Sequence, residues 1–208
     1  MSNFLLDCVL NGYGSNDELL NRDERRELIL QAAMRVALEE GFAAMTVRRI
    51  ATEAQVSTGQ VHHHFTSAGE LKSLAFVQLI RTLLDAELVS ANASFRERLH
   101  AMLGSEDGGF EPYIKLWREA QVLADKDPEI KSAYLLTMRM WHEETAAIIS
   151  QGQKAGEFSS RPDAADVAWR LIALVCGLDG IYVLGIEEMA DPAFERHLDR
   201  MITLELVN

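Results

Sequence analysis

Between Thr46 and Phe65 the chain concentrates side chains whose chemistry suits the edges and backbone of a nucleic-acid duplex. Arg48 and Arg49 are paired guanidinium groups, and a guanidinium fork matches guanine O6 and N7. Gln60 carries an amide that can address adenine. Thr58, His62 and His63 offer hydroxyl and imidazole groups that hydrogen-bond to bases or phosphates. Catalytic patterns are absent from the sequence: there is no Ser-His-Asp order, no metal motif and no phosphate loop, and Gly104 with Gly108-Gly109 makes none. His62-His63-His64 do not form a metal site, because consecutive helical residues point about 100° apart and cannot converge on one ion. His100, His142 and His197 have no neighbours at ligand spacing. Neither an enzyme nor a cofactor is expected.

These side chains need helices to place them. From Arg25 to Glu40, apolar residues fall at Leu28, Ile29, Ala32, Ala33, Val36 and Ala37, one face of a helix that Gly41 is placed to end. Thr46 reads as the N-cap of a short helix carrying Val47, Ile50, Ala51 and Ala54. Ser57 or Thr58 caps a third, ending near Phe65. Two short helices across a tight turn, packed by Ile50, Ala51, Ala54, Val56 and Val61, make a helix-turn-helix whose second member can enter a major groove. A fourth helix is expected from Glu70 to about Ala91. Ser105 to Gly109 reads as a loop. Further starts lie at Pro112, at Asp127-Pro128-Glu129 with a stop at Gly156, at Arg161-Pro162-Asp163 and at Asp191-Pro192. The expected class is all-α. The expected division is an N-terminal extension over 1–21, a three-helix DNA-binding domain over 22–68, and a helical ligand-binding and dimerisation bundle over 69–208.

Composition sets limits on this reading. The 208 residues carry a net charge of −12, about half are apolar, and the mean hydropathy is −0.04. Residues 1–82 hold eight Lys/Arg against ten Asp/Glu, so most of the acidic excess lies further on. An acidic chain is a poor general binder of nucleic acid, and any DNA contact must come from a local basic patch. Two cysteines, Cys8 and Cys176, exclude a disulfide framework and fit a reducing cytoplasm. The most apolar run, Leu171 to Leu184, is too short to span a membrane and contains Asp179.

The run from Leu28 to Leu71 resembles the N-terminal domain of the TetR family of bacterial regulators. The points of resemblance are Ala32-Ala33, Gly41-Phe42, Thr46-Val47-Arg48, Ile50-Ala51, Ala54, Val56-Ser57, Gly59, His64-Phe65 and Glu70-Leu71. Trp117-Arg118-Glu119-Ala120, Asp127-Pro128-Glu129, Gly156-Glu157-Phe158 and Leu171 to Gly180 resemble the choline-responsive repressors of that family. The resemblance implies a homodimeric, ligand-released repressor of a palindromic operator. It places DNA contacts on Thr46, Arg48, Ser57, Thr58, Gln60, His62 and His63. Three residues depart from the family pattern: His62 stands where tyrosine is usual, Ala68 where a phosphate-binding lysine is usual, and Gln55 where glycine is usual in the turn. Ala68 and the acidic balance motivate the alternative, a helical protein-interaction regulator without specific DNA binding.

The effector pocket is expected among Tyr113, Trp117, Met138 and Trp141, where an aromatic pair could hold a cationic ligand; the alternative is that they are plain core. Leu171 to Gly185 is apolar nearly all round and must be buried. With the helix after Pro192 it is expected to pair with a second subunit, through Leu171, Val175, Leu178, Phe194, Leu198 and Met201.

Overall fold

The computed structural model describes residues 21–86, 89–104, 110–186, 188 and 191–207, apart from the Asp191 side chain. The extension over 1–20 and the loop over 105–109 lie outside them. The described residues form helices and no strands. In chain order the helices are α1 (Arg22–Glu40), α2 (Val47–Glu53), α3 (Thr58–His64), α4 (Ala68–Leu84), α5 (Phe95–Leu103), α6 (Glu111–Leu123), α7 (Pro128–Lys154), α8 (Ala164–Tyr182) and α9 (Asp191–Leu206), with a 3-10 turn at Phe42–Ala44. The fourth helix thus stops at Leu84 rather than near Ala91, and α5 is a helix that the periodicity did not announce.

Packing divides the chain into two compact units, one of residues 1–83 with 107–137, the other of 84–106 with 138–208. The boundary expected at 68/69 does not coincide with this division. In the first unit α1 packs on α2 and α6, and α2 on α3. Ile29, Ala32, Ala33 and Val36 of α1 are fully buried. Gly41 ends α1 with φ +80° and ψ 177°, a conformation essentially confined to glycine. The Phe42 N–H freed at this break donates to Glu119 of α6 at 2.8 Å. A Cβ on residue 41 would lie 2.7 Å from both Glu119 carboxylate oxygens, so glycine is needed for space as well as for φ. From Phe42 a file of edge-to-face rings runs through Phe76 of α4 (5.7 Å between centroids) to Trp117 of α6 (5.9 Å) and Tyr134 of α7 (5.5 Å). Such pairs add about 0.5–1.5 kcal/mol each beyond their buried area.

In the second unit the core gathers Leu99 and Leu103 of α5, Ile149 of α7, Phe158, and the inward faces of α8 and α9. Its polar rim is clasped by charge. Arg96 donates to Asp199 at 2.6 Å. His100 sets its two ring nitrogens 3.3 Å from Glu195 and 3.1 Å from Asp199. Arg170 grips Glu205 with two parallel hydrogen bonds of 2.8 and 2.7 Å.

Replacing Gly41 by Ala is expected to cost about 2 kcal/mol, from backbone strain and from expulsion of the Glu119 carboxylate. A urea midpoint equal to that of the wild type would show that the turn is not constrained in this way.

Candidate nucleic-acid interface

The helix-turn-helix is built from capped helices that are too short to stand alone; α2 and α3 have seven residues each. Thr46 caps α2, its Oγ1 accepting the Arg49 N–H at 3.1 Å. Ser57 caps α3 in a reciprocal box. Its Oγ accepts the Gln60 N–H at 3.2 Å, and Gln60 Oε1 accepts the Ser57 N–H at 3.1 Å. Both cap hydroxyls keep their own proton for an outside acceptor such as a phosphate oxygen. Between the helices Gln55 is the only non-glycine residue with positive φ among those described, at +55°. The Val56 N–H closes the turn on Ala51 O at 2.9 Å. Val61 and Phe65 are buried, while Thr58, Gly59, His62 and His63 are exposed on one side of α3.

The two arginines have separate jobs. Arg49 is clamped between Glu40 at 2.7 Å and Glu53 at 3.0 Å, and Glu53 also holds Arg35 at 3.0 Å. The hydrogen bond that Arg49 donates to Glu40 leads the effects that raise the Arg49 pKa, and the hydrogen bond donated by Arg35 leads those that lower that of Glu53. Arg49 therefore holds α2 to α1. Arg48 is exposed, and no ion pair engages its guanidinium. Of the expected contact residues, Thr46, Arg48, Ser57, Thr58, His62 and His63 stand exposed, and Gln60 is half-buried. Ser57 and Gln60 are already engaged as caps. A two-point contact from Gln60 to adenine would make its oxygen, which already accepts the Ser57 N–H, accept from the base as well. Single donation from the amide nitrogen leaves the cap as it is.

His64 turns inward. Its Nδ1 is buried without a partner, and burial leads the effects that hold its pKa below the ordinary imidazole value. The positive neighbours His63, Arg22, Arg25 and Arg26 act in the same direction. Among the described residues no group of three His, Cys, Asp or Glu is arranged to hold a metal.

The residues expected at an effector pocket separate between the two units. In the first, Tyr113 is 1 % exposed and its hydroxyl has no hydrogen-bond partner. Trp117 donates from Nε1 to the Tyr134 hydroxyl at 3.2 Å. Tyr134 was not among the expected residues, and nothing in the spacing marks it as a partner of Trp117. In the second unit Trp141 donates to Met102 O at 3.2 Å and packs with Met138 on that unit's core.

The residues expected at a dimer contact lie mostly on the core of their own unit. Leu171, Val175, Leu178 and Leu198 are buried within their own subunit, and Phe194 and Met201 pack against the same core. The outward apolar residues of this region include Trp169, Ile181, Val183, Leu184 and Leu204, beside an exposed Cys176. Trp169 stacks on His142 with centroids 4.2 Å apart.

Comparison with known proteins gives a consistent result. Residues 29–71 match the model for bacterial regulatory proteins of the tetR family, and residues 95–207 match the C-terminal domain of BetI-type transcriptional repressors. The HTH-type transcriptional regulator BetI of Brucella suis is 30 % identical over 165 residues, covering 76 % of this chain and 78 % of that protein. The repressor KstR2 of Mycobacterium tuberculosis is 29 % identical over 163 residues, 72 % of this chain and 76 % of that one. A transcriptional regulator from Saccharomonospora viridis, solved in complex with choline, superposes with a TM-score of 0.69 at 27 % identity, covering 89 % of this chain and 99 % of that one.

Replacing Gln55 by Gly removes the left-handed strain but adds chain entropy in the unfolded state. The expected net effect is stabilisation of about 0.5–1 kcal/mol. Urea denaturation measures it, and a loss of stability would contradict the strain.

Proposed function

The chain belongs to the TetR family of bacterial transcriptional regulators, with a BetI-type C-terminal domain, and from that premise we propose how this ligand-responsive DNA-binding repressor works. A homodimer lays α3 of each subunit in successive major grooves of a palindromic operator. Arg48 reads a base edge or a phosphate, Thr46 and Ser57 donate from their hydroxyls to phosphates, and Thr58, Gln60, His62 and His63 face the groove. Residues 22–68 serve as the DNA-binding domain, and the chain works in the cytoplasm. The observation that carries this reading is the sorting of the arginines, with Arg49 locked into the fold and Arg48 left exposed beside a capped recognition helix.

Subunit pairing is assigned to the outward side of α8 and α9, through Trp169, Cys176, Ile181, Leu184 and Leu204. The effector is assigned to a small organic cation, received by Tyr113, Trp117 and Tyr134 in the first unit. The buried Tyr113 hydroxyl, without a partner among the described residues, supports this, as do the paired rings of Trp117 and Tyr134 and the choline complex of the similar regulator. The effector releases DNA by binding the operator-free shape more tightly.

Three measurements test these assignments. Arg48→Ala is expected to weaken binding to the DNA upstream of the protein's own gene by about 1–3 kcal/mol. In the same assay Arg49→Ala should lower stability first. No binding by the wild type would favour the protein-interaction alternative. Ile181→Arg should yield a folded monomer in sedimentation at micromolar concentration. Val175→Arg should instead unfold the subunit, because residue 175 is 8 % exposed. Choline, titrated calorimetrically, should bind about tenfold or more weakly to Trp117→Ala and unchanged to Trp141→Phe. Equal affinities across the three proteins would move the pocket elsewhere.

A further inference from the structure

The first turn of α1 carries a basic face. At about 100° per residue, Arg22, Arg25 and Arg26 fall within one third of the helix circumference. Asp23, Glu24 and Glu27 fall on the other side. Glu24 is spent on the cap, accepting the Asn21 N–H at 2.8 Å, and Glu27 accepts from Gln31 at 2.7 Å. Arg22 and Arg26 continue the stripe of Ile29 and Ala33 one turn beyond the point where burial ends, so the face is directed toward the rest of its unit.

Arg26 locates that face. Its guanidinium sits 4.7 Å over the ring of Phe65, the residue that ends the recognition helix, and 4.0 Å from Glu70 at the start of α4. The first turn of α1 therefore lies against the C-terminal end of α3 and the first turn of α4. Arg22 and Arg25 have no ion-pair partner among the described residues. Ala68, which opens α4 at this place, brings no charge. The positive field of Arg22, Arg25 and Arg26 is felt at His64 on α3.

We infer that Arg22 and Arg25 form a phosphate-binding clamp at the C-terminal end of the recognition helix. The clamp grips the DNA backbone without reading sequence. This rests on the DNA-binding reading above and adds a contact to it. Two guanidinium groups without an ion-pair partner among the described residues, in a chain of net charge −12, suit an anion from outside the chain. A duplex seated along α3 would bring such an anion, a backbone phosphate, to this end of the helix. Because the contact is to backbone, it operates on any duplex, and its signature is the salt dependence of binding.

The test uses the full chain and a fluorescently labelled 30-base-pair duplex of random sequence, followed by anisotropy from 50 to 200 mM salt. Each phosphate contact contributes about 0.9 to the slope of log affinity against log salt. Arg22→Ala and Arg25→Ala are each expected to lower that slope by roughly this amount. That is about a threefold smaller loss of affinity across the series for each. Arg22→Lys should retain the slope. Arg81→Ala, an exposed residue in the last turn of α4, is the control for net charge and should leave the slope unchanged. A wild-type slope in both alanine variants, with unchanged circular dichroism, overturns the clamp and leaves the DNA-binding reading standing. An equal fall in Arg81→Ala also overturns it, because the effect would then belong to net charge. No binding by the wild type at 50 mM salt overturns the DNA-binding reading and the clamp with it.

Discussion

The DNA-facing end of the molecule hangs on one hydrogen bond, from the Phe42 N–H to the Glu119 carboxylate. A helix must break for the chain to turn from α1 into α2, and the break exposes backbone groups that need partners. Here the partner comes from α6, 77 residues further along the chain. The approach works only because residue 41 has no side chain. A charged acceptor makes this bond stronger than a neutral one and expensive to lose in a partly buried place. Phe42 is thereby held by its backbone, while its ring rests on Phe76. The ring file ends on Trp117 and Tyr134, the residues assigned to the effector. Trp117 and Glu119 stand two residues apart on the same helix, so a movement of α6 reaches Phe42 along two routes.

Charge is allotted with equal economy. The first unit turns its acids inward on its own arginines: Glu40 and Glu53 on Arg49, Glu53 on Arg35, Glu70 near Arg26. Among the described residues, Arg48 and, in the first turn of α1, Arg22 and Arg25 engage in no ion pair. An acidic protein can in this way present a basic surface without changing its net charge. The second unit uses its acids for the clasps of Asp199, Glu195 and Glu205 between helices.

Much of this was legible in the sequence where a residue type admits a single role. Thr46 and Ser57 mark the two helix starts, Gly41 the turn, Pro128 the start of α7 and Asp163 that of α8. Other features leave no local trace. α5 is a nine-residue helix rich in charge, and no glycine or proline stops α4 at Leu84. Leu171 to Leu184 is apolar on every side, so its pattern could not say which leucines face the subunit's own core and which face away. Only packing against α5 and α9 decides that, and it turns Leu171, Val175 and Leu178 toward the subunit's own core. The Glu119 bond and the Trp117–Tyr134 pair are contacts between distant stretches that no periodicity encodes.

The box that closes the first turn of α3 bears on how such a regulator can change its target over generations. Gln60, proposed to face the groove, is also half of the fastening that keeps a seven-residue helix formed. A lineage cannot freely exchange residue 60 to follow a mutated operator, because most replacements would loosen the reading head itself. Glutamate is the one exchange that preserves the reciprocal cap, and it turns a donor toward the groove into an acceptor, which favours cytosine. Drift in the operator is thus channelled: the neighbouring positions 58, 62 and 63 are free to explore, while position 60 changes along a single path.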